Sequence, residues 1–217
     1  DLPSAQFNHV ILCVPHENDT IWLECTSQDQ PFGYLGTFTD NRTVLIMNET
    51  GGVIARTPDF SAEENLQIRK GIVDLNETGD AVAKVTTRFS GLQYENIEHV
   101  IDAQEIDQKK WLYDQLDIPS FEIREHGYKA YKEPLPQADE RLSLDLRRFA
   151  VSSGKRLFFK PNLLNTQAKI RPQDQPRKYE LSLKFAYTDI DTIEYLLPGG
   201  IRLEYVPEPV RIESRFG

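Results

Sequence analysis

His9 and Glu24, fifteen residues apart, are the pair whose types and spacing point to acid–base chemistry. They lie in two apolar, β-branched and aromatic runs, residues 7–14 (FNHVILCV) and 20–26 (TIWLECT), around Pro15-His16-Glu17-Asn18-Asp19. That pattern reads as a β-hairpin. Partner numbers across an antiparallel hairpin have a constant sum, so the register decides whether the two side chains meet. With a sum of 33, His9 stands opposite Glu24, with Cβ atoms roughly 5 Å apart. Thr20, Trp22, Ile11 and Cys13 then share the face. With a sum of 34, Glu24 turns to the other face. A carboxylate on one imidazole nitrogen selects the tautomer and steadies the imidazolium, while the other nitrogen serves a nucleophile as base. A structural histidine bonded to an acid at a sheet end has the same sequence signature.

The remaining reactive residues offer less. Cys13 is four residues from His9 along one strand, about 13 Å at strand rise, too far for a hydrogen bond. Cys25 faces His9 only in the register that takes Glu24 away. The two cysteines are out of register with each other and form no disulfide framework. Both read as small buried hydrophobes. His16, His99 and His126 lack metal-ligand spacing, and Asp102, Glu105 and Asp107 fall on a solvated helix without a calcium-loop glycine. Gly51-Gly52 and Gly199-Gly200 read as turns rather than phosphate loops, and Trp22 and Trp111 as core anchors. No metal or cofactor is expected.

The elements that must position the pair are mostly strands. After the first hairpin, Val44–Met47 and Val53–Arg56 flank Asn48-Glu49-Thr50-Gly51-Gly52 as a second one. Thr57-Pro58-Asp59 marks a boundary, giving domains of 1–58 and 59–217. Residues 66–75 and 81–89 alternate around Asn76-Glu77-Thr78-Gly79-Asp80, a third hairpin. From Tyr94 to Leu116 the apolar residues adopt helical spacing, with Pro119 just beyond. Strands are expected again near 121–131, 141–150, 155–160, 180–187, 192–196 and 201–206. The fold class is therefore mainly β with a small helical insertion, its second part an antiparallel, sandwich-like module. Strand-like runs at both limits, including 209–216, suggest a truncated chain.

Composition bounds the partners. A net charge of −9 over 217 residues argues against a phosphate-binding surface, so no nucleic acid is expected; Arg147-Arg148 and Lys155-Arg156 are ringed by acids. No run approaches the ~20 apolar residues of a membrane span, and the opening Asp1-Leu2-Pro3-Ser4 shows no signal peptide. Asn-x-Thr triplets at Asn18, Asn41, Asn48 and Asn76 are weak glycosylation signals in turn-rich sequence.

Phe7-Asn8-His9-Val10-Ile11 followed by Thr20-Ile21-Trp22-Leu23-Glu24-Cys25-Thr26 resembles the histidine and acid strands of transglutaminase-like, papain-fold cores. More closely, the chain resembles large bacterial proteins in which such a core precedes a β module of unknown function. Ile193-Glu194-Tyr195-Leu196-Leu197-Pro198-Gly199-Gly200, Tyr205-Val206-Pro207 and Glu213-Ser214-Arg215-Phe216-Gly217 are similar to that module. The resemblance implies that residues 1–58 are the C-terminal β part of the core. It makes His9 the base and Glu24 the orienting acid of a Cys-His-acid triad, in a cysteine peptidase or amide acyltransferase acting on protein or peptide. Glutamate stands where the family has aspartate, and the family's nucleophile lies upstream of its histidine, so the chain alone would be inactive. A periplasmic or extracellular location is implied as well. The other class of function is a non-catalytic β-rich module that binds protein or glycan.

Overall fold

The computed structural model describes residues 7–17, 19–26, 30–131, 133–165 and 183–214. Its centre is a five-stranded sheet built from β5 (Leu66–Leu75), β6 (Ala81–Ser90), β7 (Phe121–Tyr131), β8 (Gln137–Leu146) and β11 (Thr188–Leu196), in the order β11-β5-β6-β8-β7. Strict alternation makes β5 and β6 a hairpin with one apolar face: Val73, Leu75, Ala81, Ala83 and Val85 point inward and are buried. Asn76 closes its turn, accepting bonds from the Thr78 amide and hydroxyl and the Asp80 amide. Asn48 does the same for Thr50 in the earlier hairpin. Two of the Asn-x-Thr triplets are thus Asx turns. The triplet at Asn18 begins outside the described residues.

The periodicity change after β6 is a short 3₁₀ turn (Gly91–Gln93) followed by α1 (Glu95–Ile101) and α2 (Glu105–Gln115). Ile97 and Val100 of α1 pack on Phe89 and Ala138, while Leu112 of α2 joins Val73, Val85, Leu142, Leu144 and Leu146. Burying each such side chain contributes about 1.5–3 kcal/mol. Helices, rather than a second sheet, therefore cover the buried face. The opposite face carries exposed Lys70, Lys84, Thr86 and Arg141, with Ile72 and Ile190 exposed among them.

The chain is mainly β with a small helical insertion, as its pattern indicates. Several strands differ in detail. β11 begins at Thr188 and pairs parallel with β5, where antiparallel pairing was expected throughout. β8 ends at Leu146, because Arg148 (φ 52°) turns the chain. β9 (Val151–Ser153) and β10 (Arg156–Phe158) form a minimal hairpin. Residues 201–206 and 209–214 form no strand, and neither do 183–187; positions 180–182, 215 and 216 of the expected runs lie outside the described residues. Alternation there is real, but no edge among the described residues pairs with it. Among the described residues no helix is long and apolar enough to cross a membrane.

Candidate functional site

The N-terminal hairpin is β1 (Leu12–His16) with β2 (Asp19–Leu23), shorter than the sequence runs. Its partners are Leu12↔Leu23, Cys13↔Trp22 and His16↔Asp19, a sum of 35. Neither 33 nor 34 is adopted, because the loop has only two residues, 17 and 18, with Glu17 at φ 50°. Such tight loops favour positive φ. A sum of 35 keeps the parity of 33, so the faces are those of the 33 register, shifted by one diagonal. The ladder stops at Leu12↔Leu23, so His9 and Glu24 lie just past it; extended at the same sum, it would set His9 opposite Thr26 and Glu24 opposite Ile11.

The pair meets across that diagonal: His9 Nε2 and Glu24 Oε2 are 2.8 Å apart. Diagonal neighbours are about 7–8 Å apart at Cα, within reach of long side chains. Both are shielded, with side chains 22% and 10% exposed. Buried Trp22 lies on the same face, and the Phe38 ring meets the imidazole edge-on at 4.9 Å between centroids.

Glu24 is held from both oxygens, since Oε1 accepts from the Thr26 amide at 3.0 Å and the Thr26 hydroxyl at 2.7 Å. Burial works against its charge, but the bonds from Thr26 and His9 outweigh burial and hold the carboxyl below the ordinary glutamate range. An ionised Glu24 accepts from a protonated Nε2. Nδ1 is then the basic nitrogen, and no hydrogen bond to it forms among the described residues.

The loop bearing Phe38 is anchored by α1. Glu95, in the first turn of α1, accepts from the Thr37 amide (2.8 Å), the Thr37 hydroxyl (2.7 Å) and the Tyr34 hydroxyl (3.2 Å). Gln30 donates to Glu98 at 3.1 Å. Burial and then the Glu95 charge push the buried Tyr34 phenol well above its usual range. Thr57 and Pro58 also bond back to this loop, through the Thr57 hydroxyl to Thr39 O and Asn41 N to Pro58 O.

Of the other candidates, Cys13 shares the His9 face but not its reach. Cys25 is exposed on the opposite face, its thiol donating to Leu23 O at 3.6 Å. His16 ends β1, His99 packs edge-on against Trp111, and His126 Nε2 lies 3.1 Å from Gln108 Oε1. Glu105 pairs with Lys109 on the solvated side of α2. No group of three His, Cys, Asp or Glu among the described residues is placed to hold a metal. Sequence reasoning missed Phe38 and Glu95. The density of aromatics in the Gly- and Pro-bearing loop (Phe32, Tyr34, Phe38) is the signal that it packs rather than wanders.

Residues 155–217 match the family model of a domain of unknown function, DUF3858, in keeping with the β module of unknown function suggested by the tail residues. No curated protein and no solved structure matches the chain.

Proposed function

We propose that His9 and Glu24 are the base and the orienting acid of a transglutaminase-like Cys-His-acid triad, whose cysteine comes from a segment outside these 217 residues. The observation that carries this is the shielded His9 Nε2–Glu24 bond, which leaves Nδ1 as the basic nitrogen. Nδ1 would take the thiol proton as sulfur attacks an amide carbonyl. The imidazolium would return that proton to the leaving amine, and the resulting thioester would pass its acyl group to water or to an amine. Val10, Leu12 and Val14 support the reading: all three are exposed and apolar, Leu12 and Val14 on the face of β1 opposite Cys13 and Val10 just before the strand. A two-stranded hairpin apolar on both faces is suited to the interior of a larger sheet.

The test is to extend the chain upstream with its own coding sequence and measure iodoacetamide labelling and amide hydrolysis. Rapid labelling of one upstream cysteine is expected, falling at least about a hundredfold in His9→Ala, the usual scale of a lost general base. Labelling that is unaffected by His9→Ala overturns the assignment. So does His9-dependent labelling of Cys25.

A further inference from the structure

A second feature, independent of His9 and Glu24, lies on the buried face of the main sheet. Cross-strand partners there form one unbroken polar row through all five strands: Asp191, Arg69, Thr87, Glu140 and Tyr128. It separates the two apolar clusters, with Val85 and Leu142 on one side and Phe89 and Ala138 on the other. Arg69 is committed at one end, with Nη1 3.2 Å from Asp191 Oδ2 and Nε 3.2 Å from the Thr87 hydroxyl. The other end is unfinished. Glu140 is 6% exposed, and the buried Tyr128 hydroxyl beside it lacks the geometry of a hydrogen bond.

Above this row is a cavity of about 470 Å³, within the size range of small-molecule sites. Gln67, Arg69 and Glu140 of the sheet contribute to its floor, and Trp111 supplies an apolar wall. Asn96 of α1 and Gln115 of α2 are exposed at its rim. The side chains of Gln67, Asn96 and Gln115 make no hydrogen bond among the described residues. The buried Glu140 carboxylate is costly unless something uses it, and the amides of Gln67, Asn96 and Gln115 are available to a ligand.

We propose that this cavity binds a small neutral polyhydroxylated ligand of monosaccharide size. Mixed donors and acceptors suit vicinal hydroxyls, each of which both donates and accepts. The indole gives the apolar face of a sugar ring a surface to cover. Charge selects against the alternatives: Glu140 repels an anion, and the Arg69 guanidinium repels an ammonium. Burial raises the Glu140 carboxyl above its ordinary range, and a ligand hydroxyl donating to it would favour its ionised form.

The experiment uses the 217-residue chain, ¹⁵N-labelled, titrated separately with glucose, galactose, mannose, glucosamine and glucuronate. At least one neutral hexose should bind saturably and move the Trp111 indole resonance while leaving Trp22 in place. Gln115→Ala, at an exposed rim position that does not threaten the fold, should weaken it about tenfold, the scale of one lost hydrogen bond. Glu140→Gln should weaken it similarly, and glucuronate should bind at least about tenfold more weakly than the hexose. The proposal fails if no neutral hexose binds, or if binding leaves Trp111 and the Gln115→Ala affinity unchanged. Glucosamine preferred tenfold over glucose, with the preference lost in Glu140→Gln, would instead mark an organic-cation site and also overturn it.

Discussion

His9 and Glu24 are joined just beyond the end of the N-terminal hairpin: its register, extended past Leu12↔Leu23, would set His9 opposite Thr26, yet its Nε2 lies 2.8 Å from Glu24 Oε2. A glutamate spans this offset where an aspartate, one methylene shorter, falls short. Glu24→Asp should therefore break the bond while leaving the hairpin folded. Long-range ¹⁵N NMR should find His9 as the Nε2–H tautomer in the parent chain and as a tautomer mixture in the variant. An unchanged tautomer in Glu24→Asp would show that the carboxylate does not set it.

The Glu24 carboxyl is held below the ordinary range chiefly by donors that include the Thr26 hydroxyl, against the effect of burial. A depressed carboxyl contributes stability above its unfolded value of about 4.3, and that contribution is lost as pH falls through the folded value. Thr26→Val should raise the Glu24 midpoint in a ¹³C-detected titration. It should also flatten the fall in thermal stability below pH 4.5 or so.

Glu95 and Gly36 depend on each other. A methyl group at Gly36 would run into the Glu95 carboxylate oxygen that accepts from Thr37 and Tyr34. Glu95→Ala leaves those donors without an acceptor and should cost at least about 2 kcal/mol. Gly36→Ala should cost a similar amount by displacing the same carboxylate, and the double variant should lose less than the sum. Urea denaturation of the four proteins measures this coupling. Full additivity would mean that the loop is held elsewhere.

Glu140 titrates in the opposite sense from Glu24. Burial raises its carboxyl, so the ionised form destabilises the fold; the penalty appears as pH rises above the unfolded value and is complete above the folded one. Glu140→Gln removes the penalty. Without ligand, the variant should melt higher than the parent chain at pH 8, with the difference shrinking towards pH 5. A variant less stable at pH 8 would show that ionised Glu140 is compensated in the fold.

What was legible follows the range of the interactions. The β5–β6 hairpin and its Asn76–Gly79 turn could be read from alternation and turn chemistry, because both are settled between neighbours in sequence. The helical insertion was legible for the same reason. The parallel pairing of β11 with β5 was not, since Thr188 and Leu66 are joined by no local signal. Nor was the bond from Thr37 to Glu95, which links a loop to a helix 58 residues away.

The sequence by itself determined which residues could form an acid–base pair, that they flank the two strands of one hairpin, and that neither cysteine reaches His9 from the Glu24 face. Only the tertiary structure decided how His9 and Glu24 meet. Apolar alternation has period two, so it distinguishes odd from even sums but not 33 from 35. The two-residue turn selected 35, and the length of the glutamate side chain closed the remaining diagonal. The polar row ending at Glu140 rests on the same reason: its members come from five strands, and four registers have to be set before the five line up.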